Sequence, residues 1–589
     1  MSVPARDADD ISFLKGLLAV SPLAAVLLLR LVIWKFFPGA ETGVKEDLSN
    51  MIVAGVQVAA GVAVLAIFMY RKQRIAASVL DIPALGLLVA AAVSLCWTVD
   101  LSSSLRGVLA LAGEVIFCFV LVQSLRDTAG VRALLLLMAA MALLAAIFGI
   151  REFYTLSRMT PPPEGSEMAV ANHSLQYILT HRRVTSFLGW PNSLAGYLTL
   201  ILPFVLVLAV TVKDALQRAL AWVVLAVMVG GLFVTFSLLG WFSFLIASFL
   251  MAPAFLRTFA PEIADRSKGL LYQLAAVFGI LFVGVFLHKN IAESLAPRLI
   301  YYKNAFTLIA QKPFWGQGWY TFGVASKALS TSIDGLTGFV HNSYVQWWVE
   351  CGFWGVLAEG FFLFVIVRMS CGLLARTNRT PDAPLVVAVV WGVAAFLIDN
   401  LFSFTWIKPN IAVHGWALIA ILAALDRILG GEEKRAWVRP PFLSGAALAV
   451  SVFSLLMITV LSTGMFYYHA GVRAFQRGDV DRAGEYFVQG SLIDRWSASY
   501  TMTAGDMALR VYQSTGRVYY LHLGETNYLE AIRREPLQYV PHFMLGQIYL
   551  ALGDPKSSLF YMREARRISP FEFNRDSTAV AQGRNEPTR

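Results

Sequence analysis

The chain has 589 residues, of which 57% are hydrophobic and only 15% are charged, and its formal net charge is +10. In a soluble domain about a quarter of the residues are charged, so this composition excludes a soluble globular protein and indicates a polytopic α-helical membrane protein. Basic residues at the ends of membrane helices act as topology signals, so the positive charge gives no indication of nucleic-acid binding.

Apolar runs of about 20 residues, long enough to cross a bilayer, recur along the chain and predict an all-α fold with about thirteen transmembrane helices. The first run has no small-residue cleavage site and is followed by many others, which favours a transmembrane helix over a cleavable signal. The seventh and eighth runs are nearly continuous, and Thr235 and Ser237 mark the break between them. The predicted spans are residues 17–37, 50–70, 79–98, 104–123, 131–150, 190–212, 217–236, 239–257, 270–287, 352–370, 384–405, 409–427 and 443–465.

Lysine and arginine residues are concentrated in every second loop between these spans, as the positive-inside rule describes. If residues 1–16 are cytoplasmic, the basic loops all face the cytoplasm, and the short outside loops hold little beyond Lys45 and Lys408. The two long loops, 151–189 and 288–351, then lie outside the membrane. The thirteenth span delivers the C-terminal segment to the same outer side.

Residues 466–575 differ from the rest of the chain because they are charged and repeat with a period of about 34 residues. This period is typical of tetratricopeptide repeats, which stack pairs of antiparallel helices, so an extracytoplasmic α-solenoid is predicted. An unspecific array of helical hairpins is the alternative, the degenerate middle copy leaves room for a short insertion, and residues 576–589 are expected to be disordered. The repeat positions are Gly471, Gly478, Ala483 and Phe487 in the first copy, Ala531 and Pro536 in the middle copy, and Leu545, Gly546, Tyr549, Gly553, Ser558, Met562, Ala565 and Pro570 in the last.

Four cysteines lie in or beside predicted spans, and their spacing matches no zinc-binding pattern. We therefore expect the four cysteines to be buried free thiols that act as small apolar groups, rather than parts of a disulfide framework. The sequence contains no P-loop, dinucleotide-binding fingerprint or set of metal ligands, so we expect no cofactor, no metal and no coupling to nucleotide hydrolysis. The cysteines are Cys96, Cys118, Cys351 and Cys371.

The outside loop 288–351 brings basic and aromatic residues together. Its segment 298–310 has an amphipathic helical pattern that suits the membrane interface, with Tyr301 and Tyr302 between Arg298 and Lys303. The two basic residues could bind phosphate at the headgroup level, where arginine offers a bidentate grip, or could only anchor the helix to anionic lipid. The pattern alone leaves these two roles equally open.

The same loop ends in the stretch 341–355, where the chain returns to the membrane. The pKa of histidine is about 6.5 in model peptides, so His341 can accept a proton at neutral pH, and helix capping is the alternative role. In a helix, Glu350 lies about 180° around and about 13 Å along the axis from His341. We therefore expect Glu350 to cap or pack rather than to orient the histidine. The glycines at the end of this stretch allow close helix packing.

Polar residues also occur at two other span ends. Arg182 and Arg183 precede a helix start at Asn192, and this arginine pair can face a phosphate or merely flank a span. Asp399 and Asn400 lie near the outer end of the eleventh span. A carboxylate at that depth invites a functional hypothesis, although hydrogen bonding between helices is the simpler explanation.

Taken in order, these segments resemble the O-antigen ligase/polymerase family of bacterial envelope glycosyltransferases. The resemblance covers about residues 190–427 and is most specific in its last motif. It implies an inverting, metal-independent transferase that uses an undecaprenyl-diphosphate-linked glycan as donor at the periplasmic face of the bacterial inner membrane. The motifs run from Pro191 to Tyr197, from Arg298 to Lys303, from Pro313 to Gly318 and from His341 to Gly355.

The resemblance also implies site residues and partners. Arg298 would bind the donor diphosphate and His341 would engage the acceptor hydroxyl, so these two are the catalytic candidates. The partners would be the lipid-linked donor, membrane lipid, a glycan, lipid A core or protein acceptor, and a protein bound by the repeats. The expected substrate-binding residues are Lys303, Arg182, Arg183, Asn192 and Tyr344.

One position departs from the family, which often has Ser-Arg at the start of the eighth span where this chain has Ser237-Leu238. Arg182 or Arg183 replaces the missing charge, or the donor differs, or catalysis is weakened. Because that arginine is typical of ligases, a polymerase is slightly favoured over a ligase. The alternatives are a transporter or flippase of lipid-linked glycan, and a non-catalytic scaffold of a polysaccharide export assembly. The clustering of polar residues outside the membrane disfavours a transporter, and a scaffold would tolerate loss of His341.

Overall fold

The computed structural model describes residues 43–71, 75, 77–159, 182–261, 289–430 and 441–581. Within these ranges all regular structure is helical, and nine helices are long and apolar enough to cross a membrane. Two shorter apolar helices coincide with two further predicted spans. The predicted class, a polytopic helical membrane protein, is therefore confirmed. The predicted spans 17–37 and 270–287 lie outside the described residues, so the total of thirteen stays a prediction.

Eleven helices in the described part of the chain correspond to predicted spans, and a twelfth carries the aromatic and basic segment of the outer loop. The break predicted between spans seven and eight is present, because one helix ends at Val234 and Ser237 caps the next. The helices are α1 (Gly43–Tyr70), α2 (Asp81–Val93), α3 (Leu101–Ser124), α4 (Thr128–Leu156), α5 (Pro191–Thr211), α6 (Ala215–Val234), α7 (Leu238–Phe259), α8 (Lys289–Gln311), α9 (Ser343–Thr377), α10 (Ala383–Asp399), α11 (Pro409–Ile428) and α12 (Pro441–Gln476).

Helices α5 and α11 form the centre of the bundle, and their described side chains are almost all buried. Helix α5 packs against α4, α6 and α10, whereas α11 packs against α3 and α10. Small residues permit this close approach, because a side chain at Gly415 would run into the ring of Phe396 and one at Gly392 would meet the backbone of Leu200.

The two ends of the bundle are held by different kinds of contact. At one end, basic residues in the last turns of α9 and α11 bind neighbouring helix ends: Arg376 pairs with Asp426 at 2.5 Å, and Arg427 donates to the Leu125 carbonyl at 2.6 Å. At the opposite end the segments 94–104, 312–343 and 400–408 meet. We call this end the His341 face.

A kink in α9 separates its membrane part from its first turns. Gly352 has φ 65° and ψ −159°, a conformation that only glycine adopts readily. The kink leaves room for the segment after α8, so that Gln317 and Gly318 donate backbone hydrogen bonds to the carbonyls of Val349 and Glu350, each at 2.9 Å. The span predicted from hydropathy begins at residue 352, which is the position of the kink.

Beyond the bundle, the C-terminal helices form three antiparallel hairpins followed by one further helix. The first hairpin uses the end of α12, which continues without a break past the predicted span end at 465. The middle hairpin has two helices of 17 residues, against 13 and 14 in the last, so the predicted insertion lengthens both of its helices. The helices are α13 (Val480–Ile493), α14 (Ser499–Thr515), α15 (Val518–Arg534), α16 (Tyr539–Ala551), α17 (Pro555–Ile568) and α18 (Pro570–Ala581).

Each hairpin places a glycine of its first helix against a large side chain of its second, which lets the helix axes approach closely. A further glycine with positive φ ends the first helix of each hairpin, as expected for a left-handed cap. The packing pairs are Gly471 with Phe487, Gly505 with Tyr528 and Gly546 with Met562, and the turn glycines are Gly478, Gly516 and Gly553. These recurring positions agree with a repeat, while the tetratricopeptide assignment stays a prediction.

The C-terminal helices dock on the His341 face through two ion pairs. Arg106 of α3 binds Asp494 at 2.9 Å in a buried pair, and Lys327 of the outer loop lies 3.6 Å from Glu572 of α18. The predicted disordered tail, 576–589, is wrong in its first residues because α18 continues to Ala581, and residues 582–589 lie outside the described part.

Candidate functional site

His341 lies between α8 and α9, immediately before the residue that caps α9. The Oδ1 atom of Asn342 accepts hydrogen bonds from the backbone nitrogens of Tyr344 and Val345, both at 3.1 Å, so Asn342 rather than His341 is the cap. The backbone of His341 is left-handed, with φ 60°. Non-glycine residues in this conformation often occur at functional sites, where the surrounding structure holds them in place.

Two aromatic rings hold the imidazole of His341. The ring of Tyr301 is stacked on it with centroids 5.2 Å apart, and Phe404 meets it edge to face at 4.6 Å. Its Nδ1 atom is buried and has no hydrogen-bond partner among the described residues. Because buried polar atoms are normally hydrogen-bonded, this nitrogen is a candidate contact for a substrate.

The site disfavours the charged form of His341. Burial first, and then the positive charges of Arg298 and Lys408, lower the pKa of His341 to about 3. The sequence suggested an ordinary pKa near 6.5, and the structure corrects this value. The imidazole is therefore neutral at physiological pH and carries a lone pair, which a general base requires.

Arg298 is buried in the first half of α8, with 7% of its surface exposed. Its positive charge lowers the pKa of both His341 and Tyr302, so the guanidinium lies within electrostatic range of the catalytic candidate. Tyr302, one turn further along α8, forms a side-chain hydrogen bond with Asn342. Burial raises the pKa of Tyr302, while Arg298 and this bond lower it, and the net direction is upward. The two residues predicted to be catalytic therefore influence each other electrostatically, while their catalytic roles stay predictions.

Glu350 fixes the loop that carries the site. Its carboxylate accepts the backbone N–H of Tyr320 at 2.8 Å and that of Phe322 at 3.1 Å, and it accepts a bond from Gln346 at 3.0 Å. None of these contacts reaches His341, so the expectation that Glu350 packs rather than orients the histidine is confirmed. Glu350 is fully buried and holds the outer loop against α9.

Asn400 joins the histidine segment to the loop between α10 and α11. Its carbonyl accepts the N–H of Ser343 at 2.9 Å, and its Oδ1 accepts the hydroxyl of Ser343 at 2.7 Å and the N–H of Trp406 at 2.8 Å. Asp399 accepts the hydroxyl of Thr405 at 3.0 Å. The simpler explanation, hydrogen bonding between helices, agrees with the bond from Asn400 to Ser343 of α9, whereas the bond of Asp399 to Thr405 lies within one connection.

The other predicted site residues lie in different surroundings. Arg183 donates to Oδ1 of Asn192 at 2.8 Å and to the carbonyl of Thr235 at 3.1 Å. The hydroxyl of Ser237 also donates to Asn192, at 3.0 Å, so Arg183 lies next to the position where the family often has arginine and this chain has Leu238. Arg182 is exposed on the neighbouring turn.

Lys303 and Tyr344 are not directed at His341. Lys303 is exposed, and five helical residues after Arg298 it points about 140° away from that residue. The hydroxyl of Tyr344 donates to the Leu397 carbonyl at 2.6 Å, which ties α9 to α10. Their predicted substrate contacts stay predictions.

Sequence reasoning missed three residues at the site, Lys408, Phe404 and Tyr301. Lys408 carried a usable signal, because it is one of the few cations in an outside loop and so departs from the positive-inside pattern. Tyr301 lies inside the motif from Arg298 to Lys303, which assigned it no role, and Phe404 carried no signal because aromatic side chains are common throughout this chain. Among the residues that the structure describes, no group of histidine, cysteine, aspartate or glutamate side chains is arranged to hold a metal ion.

Comparison with known families places this site inside a recognised domain. Residues 185–358 match the family model described as O-antigen ligase. The matched segment contains Arg298, His341 and the kink at Gly352, and it confirms the resemblance seen in the motifs. No curated protein matches the chain.

Proposed function

We propose that this protein transfers an undecaprenyl-diphosphate-linked glycan to an acceptor at the periplasmic face of the inner membrane, because residues 185–358 match the O-antigen ligase family model. The single observation that supports this most is the electrostatic coupling between Arg298 and His341. It unites a buried cation with a neutral imidazole whose Nδ1 has no hydrogen-bond partner in the described structure. The substrate, the orientation and the acceptor belong to the proposal.

The proposed chemistry is a displacement at the anomeric carbon of the donor sugar. The acceptor hydroxyl forms the new C–O bond while its proton passes to the imidazole of His341. The bond between the anomeric carbon and the phosphate oxygen breaks, and the lipid diphosphate leaves with the electron pair. Arg298 stabilises the charge that develops on the departing diphosphate.

The negative charge of the donor diphosphate is expected to change the basicity of His341. In the absence of ligand, burial and two cations hold the pKa of His341 to about 3, where an imidazole accepts protons poorly. A diphosphate beside these cations offsets their effect and raises the pKa of His341. His341 is therefore expected to be a stronger base when the donor is bound.

The test is deletion of the gene followed by analysis of envelope glycans. Loss of a polymerase leaves acceptors that carry a single repeat unit. Loss of a ligase leaves bare acceptor and complete chains on the lipid carrier. Loss of a flippase leaves the lipid-linked units on the cytoplasmic side, and an unchanged glycan profile refutes the transferase proposal.

Complementation then tests the role of the histidine. We expect His341→Ala to fail to restore the glycan at a normal expression level, because loss of a general base lowers rates by about 10²–10⁴-fold. His522→Ala is the matched control, since His522 is exposed on the C-terminal helices. Full complementation by His341→Ala would support the scaffold alternative.

A further inference from the structure

Lys408 is a buried cation at the edge of the His341 site. It ends the loop between α10 and α11 and is only 4% exposed. Its ammonium lies 5.3 Å from the ring centroid of Trp190 and 5.4 Å from that of Phe404. Cation–π contacts with these rings hold the ammonium inside the protein, so that it does not extend to solvent.

The same contacts place Lys408 beside the proposed reaction. Phe404 touches both partners, with its ring 4.6 Å from the imidazole of His341 on one side and close to the Lys408 ammonium on the other. Asn400 ties both chain segments together, because it binds Ser343 next to the histidine and Trp406 in the loop of the lysine. The lysine and the histidine are therefore fixed relative to each other.

Two simpler roles fit Lys408 poorly. A lysine that anchors a helix to lipid headgroups extends its ammonium to the surface, whereas this residue is buried. A lysine that sets membrane orientation belongs in a cytoplasmic loop, whereas the predicted topology places this loop outside.

We propose that Lys408 is a second cation of the donor site and binds a phosphate oxygen of the lipid diphosphate together with Arg298. This inference rests on the proposed function and deepens it. Arginine grips two oxygens in a plane, and the compact ammonium of lysine donates to a single oxygen from another direction. A sugar diphosphate lipid carries two negative charges, so one buried arginine and one buried lysine match its charge.

The test measures binding of farnesyl diphosphate, a short polyprenyl diphosphate, to the purified full-length protein in nanodiscs. We expect Lys408→Met to weaken binding by about tenfold or more, because a hydrogen bond between charged groups is lost. Lys408→Arg should bind within a few-fold of the wild type. Lys213→Met is the matched control, since Lys213 is exposed in the loop at the opposite end of the bundle, and it should change nothing.

Comparison with farnesyl monophosphate separates ligand contact from damage to the fold. The wild type should prefer the diphosphate by about tenfold, and Lys408→Met should abolish this preference. If both ligands weaken equally, or if the diphosphate binds the variant as it binds the wild type, Lys408 is not a phosphate contact. Lys408→Gln provides a second neutral variant if Lys408→Met does not fold.

The two proposals fail in different ways. Normal farnesyl diphosphate binding by Lys408→Met, together with a glycan defect in His341→Ala, overturns the lysine inference alone. An unchanged glycan profile after gene deletion, together with a diphosphate preference that depends on Lys408, overturns the transferase proposal and keeps the lysine as a diphosphate ligand.

Discussion

The loops around His341 and the C-terminal helices lie side by side on one face of the bundle, yet they are held by different kinds of contact. In the loops, residues far apart in sequence meet, as when Val99 donates to the Gln317 carbonyl or Ser343 to Asn400. In the C-terminal helices, one glycine in the first helix of each hairpin packs on a side chain of the next helix. The site therefore depends on contacts between residues far apart in sequence and on a strained backbone. The helical hairpins depend on contacts between helices that are neighbours in sequence.

The largest effect that separates the two regions is expected in the pH dependence of His341. Its pKa is lowered to about 3 by burial, Arg298 and Lys408, so the neutral base persists as the pH falls through 6.5. The ratio kcat/KM, which reports pKa values of the free enzyme, should decline only as the pH approaches about 3. Because bound donor offsets the two cations, the acid limb of kcat should lie at a higher pH than that of kcat/KM. An acid limb of kcat/KM near pH 6.5 would contradict this account.

Gly352→Ala should destabilise the site region most. A Cβ atom there would run into the backbone of Phe314, and the φ of 65° with ψ of −159° disfavours any side chain. We expect a loss of about 3 kcal/mol in the free energy of unfolding. Gly516→Ala in the C-terminal helices has a similar φ of 66° but open space, so about 1 kcal/mol is expected. Thermal unfolding in detergent measures both.

Gly360→Ala serves as the control in the same helix, because its Cβ atom would meet nothing within 4 Å. This variant should be neutral or slightly stabilising, since alanine favours the helix more than glycine does. Equal unfolding temperatures for the variants at 352 and 360 would show that the kink does not constrain the loop.

Glu350→Gln should have the next largest effect. The amide puts an N–H group where the carboxylate accepts bonds from Tyr320, Phe322 and Gln346, so about 2 kcal/mol of stability should be lost. Glu530→Gln is the counterpart in the C-terminal helices, where the carboxylate pairs with Arg533 and Arg534 at the surface. Exposed pairs contribute less than about 1 kcal/mol, so this variant should unfold like the wild type. Similar losses in both variants would remove the distinction between the regions.

Lys327→Met should have the smallest effect. The pair between Lys327 and Glu572 is 3.6 Å long and partly exposed, so its loss should change stability by less than about 1 kcal/mol. Limited proteolysis should show slightly faster cleavage near α18, with transfer activity unchanged. A large loss of activity would mean that the last helix takes part in the site rather than only docking beside it.

The sequence predicted the bundle well because its signals are local. Hydropathy located the spans, and even the kink at Gly352 coincides with the start of a predicted span. The repeat period indicated the hairpins, because small residues such as Gly471 and Gly546 recur where helices must approach. The tail from 576 was predicted wrongly at its start because a polar composition alone does not exclude a short docked helix such as α18.

The site itself was only partly predictable. The motifs identified Arg298 and His341, but which aromatic rings surround the imidazole depends on the packing of three distant segments. The lowered pKa of His341 follows from burial, Arg298 and Lys408, and of these three the motifs contain only Arg298. Arg183 could be named beforehand, whereas its bond to Asn192 depends on the turn between α6 and α7 bringing Thr235 and Ser237 alongside.

Helix α12 is one continuous helix that connects the membrane helices to the C-terminal helices. Its extension past residue 465 carries the first hairpin about 16 Å along the axis without a hinge. The orientation of the C-terminal helices relative to the bundle therefore depends on the length of α12. Each residue inserted into α12 would rotate them by about 100° about its axis and move them by about 1.5 Å along it. A one-residue insertion in α12 would therefore move Asp494 away from Arg106 and break their ion pair. A seven-residue insertion would nearly restore the angle but raise the hairpins by about 10 Å.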